Sequence, residues 1–273
     1  MTINLNGTLV LAGAGKMGSA MLEGWLKGGA DPKKIVAIDP KPPQEMMELL
    51  AHHNIRHNPP IAMITDAEVI VVAVKPQVME VVLPNLVSLK SSRPVILSVA
   101  AGKTIASFTK HFGEDAAIIR TIPNTPAAIG RGITAMSANA NVSKAQMELA
   151  TALLDSTGEV VTVENESMID LVTAVSGSGP AYVFYLTECL ANAGVKIGLP
   201  ADLAMQLARA TVAGSGELMR QTGIDAATLR QNVTSPNGTT YAALQVLMAD
   251  DGMKPLLEKA IIAAALRSKE LAS

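Results

Sequence analysis

The stretch that decides the fold is TLVLAGAGKMGSA, residues 8–20. Its first half, TLVLAG, is a short apolar run typical of a buried β-strand. Its second half, GAGKMG, places Gly13, Gly15 and Gly18 in the pattern G-x-G-x-x-G. The residues that follow recur at the spacing of one helical face: Met17, Met21, Gly24, Trp25 and Gly28. The stretch therefore predicts a strand, a glycine turn and a helix in succession.

The glycine turn predicts a dinucleotide site. In such a turn the first glycine permits a sharp bend, the second lets the backbone approach a pyrophosphate, and the third lets helix and strand pack closely. The helix N-terminus then stabilises the phosphate charge. An ordinary glycine-rich turn is the alternative, but this one directly follows a strand and opens a helix. We assign all six residues to the cofactor: Gly13, Ala14, Gly15, Lys16, Met17 and Gly18.

Asp39 ends the second predicted strand, KIVAID, 21 positions after Gly18. A carboxylate at this point hydrogen-bonds the adenine ribose hydroxyls of NAD and repels a 2′-phosphate. Lys41 lies two residues further on and offers a positive charge to that phosphate. Asp39 makes the local sequence favour NADH, although Lys41 keeps NADPH a candidate. A helix-cap or turn role for Asp39 before Pro40 is the alternative.

The rest of the chain divides into two patterns. After residues 8–13 and 34–39, apolar runs predict strands at 68–74, 93–100, 116–122, 132–138 and 159–163. Helical patterns separate the early runs, which indicates a parallel sheet covered on both faces. Beyond Glu164 the predicted elements are all helices, at 166–176, 180–196, 200–220, 225–233, 239–250 and 253–271. The predicted fold class is α/β, with a Rossmann-type parallel sheet domain (1–164) followed by an all-helical dimerisation domain (165–273).

Charged residues are scarce, at 17 % of the 273 residues against 49 % hydrophobic ones, and the net charge is −2. This balance gives no support for nucleic acid or an anionic membrane as a partner. So few charged residues also predict that part of the surface is buried between subunits. The uncharged run 171–187 is broken by SGSGP, and the N-terminal segment lacks a basic signal-peptide region. We therefore expect a cytoplasmic protein, with its single cysteine, Cys189, buried in an apolar helix.

Five further motifs follow the glycine turn in order: AVKP (73–76), SVAAG (98–102), RTIPNTP (120–126), SGSGPAY (176–182) and SPNGTT (235–240). Together they closely resemble pyrroline-5-carboxylate reductases over essentially the whole chain. The resemblance implies NAD(P)H-dependent reduction of Δ1-pyrroline-5-carboxylate to L-proline, the last step of proline biosynthesis. It also implies a homodimer through the helical domain, often assembled further into a decamer of five dimers. The reaction needs no metal, so HHNIRH (52–57) is not taken as a metal site.

The resemblance also assigns site residues. On the cofactor side it places Val74, Lys75 and Pro76 of AVKP and Ala100, Ala101 and Gly102 of SVAAG, which border the nicotinamide. It also places Asn124 of RTIPNTP at the cofactor. On the substrate side it places Gly238, Thr239 and Thr240 of SPNGTT together with Ser235, and it adds Ser176 and Ser178 of SGSGPAY. For SGSGPAY a simple helix break, with Pro180 in the first turn of the next helix, is the alternative. Thr240 matches the family threonine that contacts the pyrroline nitrogen.

The chemistry of SPNGTT agrees with that assignment. The substrate carries a carboxylate, and N–H groups of a glycine turn at a helix N-terminus form an anion site without a basic side chain. All four histidines lie between residues 52 and 111, which leaves a hydroxyl such as Thr240, or a water, near the ring nitrogen. We assign Thr240 to hydrogen bonding and orientation first, and to proton relay second.

Two residues depart from the family pattern. Lys16 stands where Asn is common, and Asn237 stands where the family usually has glycine. Asn tolerates the left-handed backbone that the turn requires.

Three other functions compete with this one. A β-hydroxyacid dehydrogenase would carry an Asn four residues after its catalytic Lys, but Pro200 stands at that offset from the candidate Lys196. A reductase of another cyclic imine and a non-catalytic nucleotide-binding protein remain as alternatives.

Overall fold

An eight-stranded sheet organises the N-terminal part of the computed structural model, which describes residues 3–272. The strands are β1 (Thr8–Ala12), β2 (Ile35–Ile38), β3 (Arg56–His57), β4 (Ala67–Val72), β5 (Val95–Ser98), β6 (Ala117–Ile122), β7 (Gly132–Ala138) and β8 (Gly158–Thr162). Their spatial order is β3-β2-β1-β4-β5-β6-β7-β8. The predicted fold class is confirmed, and each predicted strand is present within two residues of its predicted bounds.

Helices follow most of the strands and then continue alone. They are α1 (Lys16–Lys27), α2 (Gln44–His52), α3 (Met79–Leu86), α4 (Ile105–Phe112), α5 (Lys144–Asp155), α6 (Met168–Val172), α7 (Gly179–Lys196), α8 (Ala201–Thr222), α9 (Ala226–Asn232), α10 (Thr239–Leu247) and α11 (Met253–Ala272). In the centre of the sheet both faces are buried: Leu9 and Leu11 of β1 belong to one apolar cluster, and Val10 and Ala12 to the other. This double burial explains why the strands read as continuous apolar runs.

Two features of the sheet differ from the prediction. β7 runs antiparallel to β6, because only the short 3₁₀ turn Thr125–Ile129 joins them and a parallel pair needs a longer crossover. The sheet is therefore mostly rather than entirely parallel. β3, a two-residue strand with little apolar content, was not predicted.

The predicted helix at 166–176 is α6 followed by a π-helical turn at Thr173–Gly177. α7 starts directly afterwards, with Pro180 in its first turn. The SGSGPAY motif therefore changes the helical repeat and does not open a loop.

The contacts divide the described chain into two compact units: residues 3–177 with 265–272, and residues 178–264. The predicted boundary at 164/165 lies within the first unit, because α6 packs there through buried Ile169 beside β6 and β7. The division into a cofactor domain (1–164) and a helical domain (165–273) by function remains a prediction.

The second unit exposes many apolar side chains in the single chain, among them Phe184, Tyr185 and Val246. Cys189 is exposed on the same helix as Phe184, so its predicted burial is wrong for the isolated chain. The reason is that α7 carries more apolar surface than its neighbour α8 covers. No helix within residues 3–272 has the length and apolar character needed to cross a membrane.

Candidate active site

The glycine turn lies at the point where the strand order reverses. From β1 the chain proceeds to β2 and β3 on one side of the sheet, and then returns to β4, β5 and β6 on the other. The loops that leave the carboxyl ends of β1 and β4 therefore diverge. In open α/β sheets, ligands bind in the crevice that such a divergence creates.

The three motif glycines meet three different constraints. Gly13 has φ +96°, and a Cβ there would come within 2.7 Å of the Ala73 carbonyl group. A Cβ on Gly18 would collide with the Gly13 carbonyl oxygen. Gly15 has no atom within 4 Å of a Cβ position, so the space in front of it is open. Gly15 precedes α1, whose N-terminus has no side-chain cap, and this leaves an open backbone surface suited to a pyrophosphate.

Asp39 ties the glycine turn to the end of β2. Its Oδ2 accepts a hydrogen bond from the Ala14 N–H at 2.7 Å, and its Oδ1 accepts one from the Lys41 N–H at 2.8 Å. The carboxylate is thus held at the mouth of the turn by two backbone donors. The turn role and the ribose role are compatible, because each carboxylate oxygen has a second lone pair.

Asn58, which was not predicted from the sequence, holds the backbone of Asp39 through two hydrogen bonds. Its Oδ1 accepts from the Asp39 N–H at 2.9 Å, and its Nδ2 donates to the Asp39 carbonyl oxygen at 2.8 Å. Asn58 itself has φ +47°. The only sequence signal was an Asn before a Pro-Pro turn. His57 Nε2 also lies 2.9 Å from the Asp39 carbonyl oxygen.

The remaining predicted cofactor residues lie in loops after β4, β5 and β6. Lys75 is exposed and precedes a 3₁₀ turn that begins at Pro76, while Val74 is half-buried. Ala100 is buried, and Gly102 has φ +71°. Asn124 Oδ1 accepts from the Ile133 N–H at 3.0 Å, so this amide also holds the loop to β7. These loops leave the same edge of the sheet as the glycine turn, and the set fits a dinucleotide.

Residues 235–240 form the predicted substrate turn in the second unit. The Gly238 N–H donates to the Ser235 carbonyl oxygen at 3.1 Å, and Asn237 between them has φ +56°. The left-handed backbone that a glycine would supply is therefore present. α10 begins at Thr239, directly after Gly238, and has no side-chain cap. Its first N–H groups are consequently the donors that an anion would need.

The two serines of SGSGPAY fall on either side of the division between the units. Ser176 is in the π-helical turn, where its Oγ donates to the Val172 carbonyl oxygen at 3.2 Å. Ser178 precedes the first residue of α7, and its carbonyl oxygen accepts from the Ala181 N–H at 3.0 Å. Both are half-buried, and their assignment to the substrate remains a prediction.

Comparison with known proteins covers both halves of the chain. Residues 166–271 match the family described as pyrroline-5-carboxylate reductase dimerisation, and residues 8–102 match that described as NADP oxidoreductase, coenzyme F420-dependent. The pyrroline-5-carboxylate reductase of Pseudomonas aeruginosa is 38 % identical over 97 % of this chain and 96 % of its own length. The chain belongs to the pyrroline-5-carboxylate reductase family.

Solved structures agree with this membership. The Coxiella burnetii pyrroline-5-carboxylate reductase superposes with a TM-score of 0.91 at 32 % identity, over 98 % of this chain and all of that one. The Plasmodium falciparum pyrroline carboxylate reductase, solved with NADP bound, gives 0.82 at 28 % identity, over 98 % and 99 %. This member of the family is an NAD(P)H-dependent oxidoreductase that reduces Δ1-pyrroline-5-carboxylate to L-proline. The cyclic-imine and non-catalytic alternatives lose their support.

Substitution of the motif glycines should separate folding from cofactor binding. Gly15→Ala places its methyl group in open space and should leave the melting temperature unchanged while weakening NADH binding. Gly13→Ala meets the Ala73 backbone at a positive φ and should lower the free energy of unfolding by about 1–3 kcal/mol. Thermal unfolding and calorimetric titration of NADH measure both effects. Equal loss of stability in the two variants would contradict this account.

Asn237 offers a second test, on the substrate turn. Asn237→Ala should cost roughly 1–2 kcal/mol of left-handed backbone strain and raise KM for pyrroline-5-carboxylate. Asn237→Gly, the matched control, keeps the backbone available and should keep KM. Steady-state kinetics with saturating NADH reports both values. An Asn237→Ala enzyme with the parental KM would show that the turn does not depend on this backbone conformation.

Proposed function

We propose that residues 235–240 bind the substrate of this reductase and that the start of α10 holds its carboxylate. The observation that carries the proposal is the left-handed Asn237, which closes the turn through the Gly238 N–H and leaves the Thr239 and Thr240 N–H groups at an uncapped helix N-terminus. Hydrogen bonds from such groups to a charged acceptor contribute roughly 1.5–3 kcal/mol each. The turn thus recognises an anion without a basic side chain.

Thr240 orients the ring of the substrate. When bound, the reduced nicotinamide supplies the hydride, which is the hard part of the chemistry. The chain must fix the substrate geometry, an effect worth about 7–11 kcal/mol in favourable cases. The ring nitrogen gains a proton as the C=N bond becomes CH–NH. The Thr240 hydroxyl hydrogen-bonds that nitrogen and passes it a proton drawn from water, since no histidine follows residue 111.

NADH is the preferred cofactor in this proposal. The Asp39 carboxylate is held at the mouth of the glycine turn by the Ala14 and Lys41 N–H groups. At that place its charge favours a ribose with free hydroxyls and opposes a 2′-phosphate. Lys41 is exposed and provides the residual attraction for NADPH.

Assembly and location complete the proposal. The helical part forms a homodimer, in keeping with its dimerisation-family match and with the apolar side chains it exposes. Five dimers assemble into a decamer, and residues 1–164 serve the cofactor while residues 165–273 serve substrate and dimer. The enzyme is cytoplasmic and takes neither nucleic acid nor membrane as a partner, in keeping with its net charge of −2.

Removal of the Thr240 hydroxyl should slow turnover. Thr240→Ala should reduce kcat by on the order of 10²-fold, the usual range for a positioned proton-transfer group. Thr240→Ser retains the hydroxyl and should retain most of the activity. Both are measured by NADH oxidation with saturating pyrroline-5-carboxylate. Parental turnover in Thr240→Ala would refute the role.

Neutralisation of Asp39 should shift cofactor preference. Asp39→Asn removes the charge but keeps an acceptor for one backbone N–H, so kcat/KM for NADPH relative to NADH should rise about tenfold. Lys41→Met, the control of opposite sign, should lower the same ratio. The assay runs both cofactors in parallel with one substrate concentration. Higher efficiency with NADPH than NADH in the parental enzyme would show that Asp39 does not set the preference.

A further inference from the structure

The loop between β5 and α4, residues 99–104, contains the three predicted cofactor residues 100–102. We call it the β5–α4 loop. Ala101 is exposed at its centre, and Gly102 adopts φ +71°. A loop that must meet a cofactor to within a fraction of an ångström needs fixed ends. Three attachments, none of them predicted, supply that fixation.

The first attachment holds the start of the loop. Ser98, fully buried at the end of β5, accepts a hydrogen bond on Oγ from the Ala100 N–H at 3.3 Å. Its carbonyl oxygen accepts from the Thr121 hydroxyl of β6 at 2.8 Å. The first turn of the loop is therefore bound to two neighbouring strands.

The second attachment holds the end of the loop, and it comes from 61 residues further along the chain. Glu166 Oε1 accepts from the Ile105 N–H at 2.7 Å, which satisfies one of the first N–H groups of α4. The same oxygen accepts from Arg120 Nη1 at 3.1 Å. Arg120 is 3 % exposed and donates through Nη2 to Asp170 Oδ1 at 3.2 Å. Its planar guanidinium thus fixes Glu166 in place.

The third attachment comes from the last turns of α11. Ser268 Oγ donates to Asp170 Oδ1 at 2.9 Å in a buried contact. One turn later, Leu271 lies against the loop, because a Cβ on Gly102 would come within 3.1 Å of its carbonyl oxygen. Arg120, Glu166, Asp170 and Ser268, which we call the Arg120 cluster, therefore join α4, β6, α6 and α11 around one loop.

A buried ion-pair cluster is by itself weak evidence for stability, since apolar packing often serves as well. A positioning role explains better why all three attachments converge on the same short segment. We propose that Arg120 and Glu166 are positioning residues for the nicotinamide side of the cofactor, acting through the backbone of the β5–α4 loop. This inference rests on the assignment of residues 100–102 to the cofactor in the proposed function.

The decisive variant is Glu166→Ala, which removes the acceptor from the Ile105 N–H. We expect the Kd for NADH to rise about tenfold, the equivalent of one hydrogen bond to a charged group. The Kd for ADP-ribose, which lacks the nicotinamide, should stay unchanged. Glu166→Gln still offers a side-chain oxygen, that of its amide, as an acceptor and should have the parental affinity for NADH. Calorimetric titration of the full-length protein measures all of these without turnover.

Glu68→Ala is the matched control, because Glu68 also accepts from backbone N–H groups, those of Asn6 at 2.7 Å and Gly7 at 2.9 Å, before β1. It should leave both ligands' affinities unchanged. An unchanged NADH affinity in Glu166→Ala, or an equal loss for NADH and ADP-ribose, would overturn the proposal. If Glu166→Ala does not fold, Ser98→Ala tests the first attachment with the same expected and opposing results.

Ala101→Asp distinguishes failure of the positioning role from failure of the cofactor assignment. If residues 100–102 border the nicotinamide, this exposed substitution should weaken NADH and spare ADP-ribose. A loss in Ala101→Asp without a loss in Glu166→Ala would leave the proposed function intact and reject the positioning role. No loss in Ala101→Asp would reject the assignment itself, and the inference with it.

Discussion

The backbone approach of Gly13 to Ala73 is the constraint on which the cofactor half depends. It brings the turn after β1 against the segment after β4, at the point where the strand order reverses. A side chain at Gly13 would separate those segments, and the crevice between their loops would change shape. Because the Asp39 carboxylate accepts a hydrogen bond from the Ala14 N–H in the same turn, the position of this carboxylate, proposed to face the ribose, follows from the same contact.

Charge recognition in this protein is assigned to backbone N–H groups more than to basic side chains. α1 and α10 both begin after a glycine with extended backbone and no side-chain cap, whereas α4, α5 and α9 are capped by Thr104, Ser143 and Asp225. A capping side chain satisfies the N–H groups that an anion would otherwise use. The two glycine-led helices therefore keep their dipole ends available, one in each unit. In the proposed function, each of these helices binds an anionic group without a basic side chain, in a chain with only 17 % charged residues.

The sequence predicted those parts of the structure that local patterns determine. Apolar runs located the strands, and the spacing of Gly13, Gly15 and Gly18 located the turn. The antiparallel β7 was not predicted, because strand direction depends on the short turn at Thr125–Ile129 and not on the strand's own residues. The Arg120 cluster was missed for a similar reason. Arg120 occupies a strand pattern, and its partners lie 46 and 50 residues further along the chain.

The turn at residues 235–240, which we propose binds the substrate, keeps a left-handed backbone despite its departure from the family pattern. Its two central positions, 237 and 238, are subject to different steric constraints. A Cβ on Gly238 would overlap the Ser235 Oγ, so a larger residue there would require that hydroxyl to rotate away. Position 237 requires only a positive φ, which Asn adopts more readily than other residues with a side chain. Asn237 therefore supplies the backbone conformation that the turn requires, and because its side chain is exposed, its presence in place of glycine buries no polar group.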